Sequence, residues 1–294
     1  MNFLISGGTG FIGNYITKSL HSKGHHIFIL TRSTENKANT DGITYINYDY
    51  PASVLPMMEG VINLAGESLF GYWSEKRKEK IINSRLETTD HVIQLIKEMK
   101  IKPNVFISGS AVGYYGTSED LIFTEATTEA GEDFLAEVTV KWEECAKRAE
   151  VLGVRTVYAR FGIVLGNGGA LPLMSLPVNM FAGGKIGNGE QWMSWIHIED
   201  AVNLLEYCLT QPSIEGVVNF TAPNPKRNKE FMKILAKNLK RPCWFRTPST
   251  LLHAAIGEMG QLITKGQFVL PRKALDQGFE FTYPSLGNAL KNLK

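Results

Sequence analysis

The sequence predicts an α/β protein with a doubly wound parallel sheet and a small, loop-rich C-terminal lobe. Two observations predict this fold. Short apolar runs of strand length alternate with amphipathic stretches of helical length through residues 1–160, and a glycine-rich turn directly follows the first apolar run. Strands that alternate with helices of this size are typical of βαβ units, whose strands lie parallel in one sheet.

The first half of the chain carries most of these elements. The strands are indicated by short runs rich in β-branched residues, and the helices by apolar periodicity. The first helix is expected to end at Lys23-Gly24, a basic last turn followed by a glycine. The strands are expected over 3–6, 26–30, 43–48, 61–64, 105–108 and 154–159, and the helices over 11–22, 74–99 and 133–152.

The second half differs in composition. Residues 162–189 are rich in glycine and include Pro172 and Pro177, so a loop-rich lobe is expected there rather than a long helix. The elements expected after it are a helix over 200–210, a strand over 217–221 and a helix over 228–239.

Length and composition indicate an ordinary globular protein. The chain has 294 residues, 44% of them hydrophobic and 20% charged. We expect one α/β domain at 1–222 and a small helical domain, completing the second lobe, at 247–294. The 31 Lys+Arg and 29 Asp+Glu leave a formal charge of +2, which gives no basis for a nucleic-acid or membrane-surface partner.

The expected compartment is the cytoplasm. No apolar run reaches the roughly 18 residues of a membrane span, and the N-terminus lacks a signal-peptide pattern. Cys145, Cys208 and Cys243 have no metal-ligand spacing, so free thiols in a reducing compartment and no metal site are expected. The oligomeric state stays open.

The strongest motif is Gly7-Gly8-Thr9-Gly10-Phe11-Ile12-Gly13, between the first predicted strand and helix. Glycines at 7, 10 and 13 allow a tight turn, close approach of the backbone to a pyrophosphate, and close packing of helix on strand. The helix N-terminus adds free N–H groups and a positive dipole end. The motif predicts a Rossmann-type dinucleotide site, with a purely structural glycine turn as the alternative.

The end of the second strand indicates which dinucleotide. A site that prefers NAD places an acid near this point for the ribose 2′-hydroxyl, whereas an arginine accommodates a 2′-phosphate. Here the residues are Arg32 and Ser33, and the nearest acid is Glu35. They predict NADP(H) as cofactor. A solvated arginine at the end of a strand is the alternative.

With these motifs, the chain resembles the extended short-chain dehydrogenase/reductase superfamily. It is most similar to the epimerase-like (NAD-dependent epimerase/dehydratase) subfamily of uncertain activity. The tail, 257–271, resembles the small C-terminal domain of unknown function that accompanies this subfamily. The residues that carry the resemblance are 7–13, Asp49, 63–66, 73–74, 84–85, 108–116 and 195–201.

The resemblance implies roles for individual residues. Ser110 occupies the position of the catalytic serine, which in relatives hydrogen-bonds the reacting carbonyl. Arg32 would hold the 2′-phosphate with Ser33 beside it, and Asp49 the adenine amino group. The cofactor-binding residues implied around the glycine turn and along the top of the sheet are Gly7, Thr9, Gly10, Phe11, Ile12, Gly13, Leu64, Ala65 and Gly66.

The chain departs from the family at the catalytic helix. Relatives carry Tyr-x-x-x-Lys there, a spacing that puts both residues on one helical face. Here Lys141 is at the lysine position, which implies that it would hold the cofactor's ribose, but Glu137 stands at the tyrosine position. A carboxyl with an ordinary pKa of about 4.3 does not replace a phenol as proton donor at neutral pH unless burial raises it. Glu137 and Lys141 are therefore either catalytic or an exposed i,i+4 pair.

Several other polar residues also have a functional or a structural interpretation. Tyr114 or Tyr115 supplies the missing phenol or forms an aromatic wall. His197 faces the pocket or lies in the core, and Asp200 is expected to cap the helix that it begins. Arg160, at the end of a buried strand, binds an anionic substrate group or forms a structural ion pair.

Two functions follow from these residues. The first is an NADP(H)-dependent epimerase or oxidoreductase that acts on a small carbonyl or hydroxyl compound by hydride transfer near Ser110. The alternative is an NADPH-binding sensor or partner-binding protein with little or no turnover, because the family tyrosine is replaced. Residues 160–166 lack the Asn-Val-Tyr-Gly-Pro run of sugar-nucleotide epimerases, so a nucleotide sugar is not expected.

Overall fold

The computed structural model describes residues 1–35, 37–248 and 257–293. Within them, a seven-stranded parallel sheet carries the fold. The strands in chain order are β1 Asn2–Ser6, β2 His26–Leu30, β3 Ile43–Ile46, β4 Gly60–Asn63, β5 Val105–Ala111, β6 Ile122–Phe123, β7 Arg155–Phe161, β8 Ile163–Leu165, β9 Gly184–Ile186, β10 Trp192–Met193, β11 Trp195–His197, β12 Gly216–Phe220, β13 Lys226–Arg227, β14 Phe245–Thr247 and β15 Phe268–Val269.

The helices agree closely with the sequence in the first half of the chain. The helix expected over 133–152 ends at Lys147, and a 3₁₀ turn at Glu150–Leu152 follows it. The side chains of Ser74 and Asp133 cap the second and third helices by accepting from Arg77 N and Ala136 N. The helices are α1 Phe11–Ser22, α2 Glu75–Glu98, α3 Phe134–Lys147, α4 Ala170–Asn179, α5 Ile198–Thr210, α6 Asn228–Asn238, α7 Gln261–Thr264, α8 Arg272–Asp276 and α9 Leu286–Asn292.

The order of strands creates a crevice at one edge of the sheet. The order is β12-β7-β5-β4-β1-β2-β3, and every adjacent pair is parallel. The chain adds β2 and β3 on one side of β1, and then returns to add β4, β5, β7 and β12 on the other. The connections therefore diverge between β1 and β4. Ligands of doubly wound sheets bind at such a point, beyond the carboxyl ends of the strands.

Helices cover both faces of this sheet, which explains the continuous apolar runs of its strands. Alternate side chains of one strand enter different cores. Ile5 of β1 packs in the core beneath α1 and α5, whereas its neighbour Leu4 packs in the core beneath α2 and α3. Both side chains are fully buried. The predicted Rossmann-type sheet is confirmed.

The second lobe has its own core, formed by α4, α6 and α9 around Trp195 and Phe231. The expectation of loops over 162–189 is wrong in part, because the ten-residue helix α4 lies within that stretch. Pro172 is compatible with this helix, since it falls in the first turn, where a backbone N–H has no intrahelical partner. Glycine-rich segments flank the helix on both sides.

The C-terminal segment is joined to both lobes. Its strand β15 pairs with β6 of the first domain, and α9 packs against α6 of the second lobe. Asp200 holds the segment further, because its two carboxylate oxygens accept from the backbone N–H groups of Thr282 (2.8 Å) and Tyr283 (2.9 Å). The expectation that Asp200 caps α5 is therefore wrong.

His197 is the residue that caps α5, through its Nδ1, which accepts from Glu199 N. The imidazole is fully buried, and its ring lies 3.9 Å from that of Tyr283, centroid to centroid. Burial lowers the pKa of His197, with the Glu199 carboxylate opposing the effect. Of its two interpretations, the core histidine is the one the structure supports.

Two features are absent from the described ranges. None of their helices is both long enough and apolar enough to cross a membrane. Their His, Cys, Asp and Glu side chains form no group of three or more that could hold a metal ion.

Candidate functional site

The glycine turn between β1 and α1 is closely packed against neighbouring backbone. Gly7 has a φ of 74°, in the left-handed region, and a Cβ there would lie 2.7 Å from Ala65 N. A Cβ at Gly13 would lie 2.0 Å from the carbonyl oxygen of Gly7. Both positions therefore exclude any side chain, and the first turn of α1 sits directly on the end of β1.

Gly10 differs from these two glycines. A Cβ at Gly10 would meet only Gly7 O within 4 Å, at 3.2 Å, so the position faces open space. Gly10 precedes α1, and no side chain caps the helix. The start of α1 thus offers uncapped N–H groups and a positive dipole end to an anion in that space.

A cavity of about 370 Å³ lies over this turn, and we call it the polar cavity. It extends from the ends of β1 and β2 across the end of β4, which is the crevice that the strand order creates. The residues that line it are Gly7, Thr9, Gly10, Leu30, Thr31, Arg32, Tyr48, Leu64, Ala65, Gly66, Glu67, Ser84, Glu87 and Thr88.

The structure brings most of the predicted cofactor residues to the polar cavity, but not all of them. Gly13 packs beneath it. Phe11 turns its ring onto the loop at 166–169, where a Cβ on Gly166 would lie 2.7 Å from the ring. Ser33 and Asp49 do not line the cavity, and Tyr48 does so in place of Asp49, which is exposed.

Two carboxylates also line the polar cavity. The side chain of Glu67 accepts a hydrogen bond from Arg77 at 2.8 Å, and this bond lowers the pKa of Glu67. The Glu67 charge is therefore already balanced by a cation. Glu87 is exposed at the cavity wall. Among the fourteen residues that line the polar cavity, Arg32 carries the positive charge.

A second cavity of about 410 Å³, which we call the apolar cavity, opens beyond the ends of β5 and β7. It adjoins the polar cavity, because a Cβ on Gly66 would lie 3.1 Å from Cγ of Arg85, which lines the apolar cavity. Its lining residues are Ile12, Leu69, Phe70, Arg85, 111–113, 116–117, Asp133, Leu135, Val138, Thr139, Trp142, 161–164, 192–194, 261–263 and 265–267.

Glu137 and Lys141 do not line either cavity. Their side chains are 51% and 45% exposed, and Nζ of Lys141 lies 2.6 Å from Oε1 of Glu137. The α3 residues that line the apolar cavity are Leu135, Val138, Thr139 and Trp142. At about 100° of rotation per residue, these four share one face, and positions 137 and 141 lie on the opposite one. The spacing of the pair is that of the family, but the structure favours the exposed ion pair.

Ser110 is engaged with a residue that the sequence analysis did not identify. The serine is buried, and its hydroxyl donates to Oε1 of Glu143 at 2.6 Å. Arg160 donates from Nε to Oε1 (2.8 Å) and from Nη2 to Oε2 (2.7 Å) of the same carboxylate. Of the two interpretations of Arg160, the structure shows the ion pair.

Neither tyrosine that follows Ser110 points its hydroxyl into a cavity. Tyr115 donates to Oδ1 of Asn219 at 2.8 Å, and burial raises the pKa of Tyr115. Tyr114 donates to the Thr128 carbonyl at 2.8 Å. The Arg160 guanidinium lies 3.4 Å from the centre of the Tyr114 ring and 4.8 Å from that of Tyr115. Both rings therefore cover the ion pair.

A second buried network, also missed from the sequence, supports both cavities from below. The hydroxyl of Ser6 donates to the side-chain carbonyl of Asn63, whose amide donates to Oγ1 of Thr89 at 2.8 Å. Trp142 Nε1 donates to the same Thr89 oxygen at 3.0 Å. The network ties the ends of β1 and β4 to α2 and α3. The helical periodicity of α3 is the signal that could have placed Trp142 on an inward face.

Comparison with known proteins gives a family match for the larger, N-terminal part of the chain and a second match for the C-terminal segment. The model of the NAD-dependent epimerase/dehydratase family matches residues 3–219, and that of a domain of unknown function, DUF1731, matches residues 247–293. The chain is 46% identical to epimerase family protein YfhF of Bacillus subtilis, over 100% of this chain and 98% of that protein. It is 41% identical to a chloroplastic SDR39U1 homologue of Arabidopsis thaliana, over 99% and 86% of the two chains.

Solved structures show the same similarity. The human epimerase family protein SDR39U1 (isoform 2), crystallised with NADPH, superposes with a TM-score of 0.91 at 33% identity, over 100% of this chain and 99% of that chain. UDP-glucuronic acid 4-epimerase of Bacillus cereus superposes with a TM-score of 0.79 over 100% and 98% of the two chains, but at 15% identity, which supports the fold alone.

Proposed function

The chain belongs to the NAD-dependent epimerase/dehydratase family, and from this premise we propose that it is an NADP(H)-dependent oxidoreductase. Its substrate would be a small, largely apolar carbonyl or hydroxyl compound. The observation that carries the proposal is the pair of adjoining cavities, one polar and over the glycine turn, the other apolar and beyond β5 and β7. Such sites are expected at the divergence point of a doubly wound sheet.

The residues present fit NADPH. Gly7 and Gly10 would hold the pyrophosphate against the uncapped start of α1, a space that a Cβ at Gly10 would enter. Arg32, a cation of the polar cavity, would bind the 2′-phosphate. The human relative that crystallised with NADPH supports this choice of nucleotide. When bound, NADPH supplies a hydride.

The chain's own residues would bind and enclose the substrate. The apolar walls formed by Leu135, Val138, Trp142 and Phe161 would exclude water from the reacting carbon. Of the residues described, no tyrosine or histidine lines the apolar cavity. A proton would therefore come from water or from a non-phenolic group, and slow turnover is expected, because a positioned acid contributes roughly 10² to 10⁴ in rate.

A second candidate is an NADPH-binding protein with little or no turnover. The specific observation in its favour is the cavity-facing side of α3, which carries Leu135 and Thr139 where a phenol and an amine would be needed. The two candidates share the nucleotide site and differ in turnover alone.

Titration calorimetry with NADPH and NADH, followed by NADPH absorbance against a panel of small ketones and quinones, tests both. We expect tight NADPH binding, weaker NADH binding, and slow substrate-dependent NADPH oxidation. Gly10→Val should abolish binding while the circular dichroism stays native. NADPH binding without any turnover would support the second candidate, and normal NADPH binding by Gly10→Val would refute the site.

A further inference from the structure

Arg85 of α2 is a cation held at the wall of the apolar cavity. Its Nη1 donates to the carbonyl oxygens of Glu67 (3.0 Å) and Ile81 (2.9 Å), and the guanidinium lies 5.1 Å from the centre of the Trp142 ring. These contacts hold the group in one orientation. They also use both N–H groups of Nη1. The donors on the edge formed by Nε and Nη2 remain for another acceptor.

That edge has no protein acceptor among the described residues, and Arg85 forms no ion pair with any of them. The carboxylate whose charge acts on Arg85, that of Glu67, is paired instead with Arg77 (2.8 Å) and Lys80 (3.5 Å). Burial lowers the pKa of Arg85 to about 10, so the guanidinium still carries its charge at neutral pH. The side chain is half-buried, and a partly desolvated charge without an ion-pair partner is costly to maintain, which indicates an anionic ligand.

The remainder of the cavity defines the rest of that ligand. Two other charged residues line it: Asp133, whose carboxylate caps α3 by accepting from Ala136 N at 3.0 Å, and Lys265, which is exposed at the rim. Most of the wall is apolar, and the volume of about 410 Å³ lies near the lower end for ligand sites. The site therefore suits a compact apolar body with one anionic group.

We propose that Arg85 binds the carboxylate of the substrate, through its Nε and Nη2 donors, and that the substrate is a compact, largely apolar organic acid. The planar fork of an arginine matches a carboxylate in a bidentate geometry. Gly66 allows the backbone to pack closely on this side chain, because a Cβ there would lie 3.2 Å from Cζ and 3.4 Å from Nε of Arg85. The inference rests on the proposed function, whose substrate class it narrows.

The test compares an acid with its neutral counterpart. Benzoylformate and benzoylformamide have the same apolar body and differ in the carboxylate. Titration calorimetry on the full-length protein, with and without NADPH, should show the acid binding about ten- to a hundredfold more tightly than the amide. Arg85→Met should abolish that preference and leave NADPH affinity unchanged. Lys265→Met, which removes an exposed cation of the same cavity, should change acid binding less than about threefold.

Three outcomes would overturn the proposal. The first is equal binding of acid and amide by the wild-type protein, or binding of neither, a comparison that needs no variant to fold. The second is a preference for the acid that survives Arg85→Met. The third is a loss of NADPH affinity in Arg85→Met, which would assign the arginine to the nucleotide. If the wild-type protein does not bind NADPH, the proposed function fails. The Arg85 proposal is still tested in that case, because acid binding is also measured without nucleotide.

Discussion

The hydroxyl of Ser110 donates to Glu143, and the same carboxylate is held by Arg160 in a bidentate ion pair. The three residues lie on β5, α3 and β7; none of them lines the apolar cavity, although their chain neighbours Ala111, Trp142 and Phe161 do. The hydroxyl proton of the serine at the family's catalytic position is thus already donated to Glu143 within the protein. Its contacts are those of a residue that fixes α3 against the sheet.

We expect Glu143→Gln to lower the free energy of unfolding by about 3–5 kcal/mol, because it leaves the buried Arg160 charge without a counterion. Denaturant unfolding measures the loss. Glu137→Gln is the matched control, since it removes an exposed pair worth about 0.3–0.5 kcal/mol. Similar losses in the two variants would mean that the Arg160 pair is not buried as described.

Arg32→Ala should weaken NADPH binding about ten- to a hundredfold and leave NADH binding unchanged, because only NADPH carries the 2′-phosphate that the guanidinium would pair with. Titration calorimetry with both nucleotides measures the difference. Arg272→Ala, at an exposed arginine paired with Asp276 on α8, is the control. An Arg32→Ala protein that still prefers NADPH would remove this residue from the nucleotide site.

Gly13→Ala should destabilise the protein by at least about 2 kcal/mol, because its Cβ would overlap the carbonyl oxygen of Gly7. Gly287→Ala is the contrasting variant: nothing lies within 4 Å of that position, and Ala in place of Gly in a helix stabilises by about 0.5–1 kcal/mol. Thermal and denaturant unfolding compare the two. Equal stabilities would show that the start of α1 can move away from β1.

A double variant tests which face of α3 meets the substrate. Leu135→Tyr with Thr139→Lys places a phenol and an amine one turn apart on the face that lines the apolar cavity. If the protein binds carbonyl compounds there, NADPH oxidation should rise by roughly 10²-fold or more. Glu137→Tyr puts the phenol on the exposed face beside Lys141 and should change nothing. A gain in Glu137→Tyr alone would reverse our assignment of the two faces.

His197 should make stability depend on pH. Burial lowers its pKa below the ordinary value of 6.5, so the unfolded chain binds a proton that the folded protein does not. Its stabilising contribution is therefore present above pH 6.5 and is lost as the pH falls below it, by up to about 1.4 kcal/mol per pH unit. Unfolding measured from pH 7 to 5 should show a shallower slope in His197→Asn, which keeps a helix-capping side chain. An unchanged slope in His197→Asn would show that the pH dependence of stability does not arise from His197.

The sequence by itself determined the features that depend on neighbouring residues. The turn from Gly7 to Gly13 and the position of Arg32 after β2 are local, because a strand, a tight turn and a helix follow one another directly in the chain. The alternation of strands and helices likewise determined the doubly wound sheet. Spacing alone placed Glu137 and Lys141 one helical turn apart, as the structure has them.

Only the tertiary structure decided which way these groups face. The spacing of Glu137 and Lys141 is the same on either side of α3, and the packing of Trp142 and Val138 against the rest of the protein turned the pair outward. Glu143 meets Ser110 and Arg160 because three separate elements converge at one edge of the sheet. Arg85 faces a cavity formed by segments from distant parts of the chain, from Ile12 to Gln267. Contacts of this kind depend on how elements pack, which a local pattern does not specify.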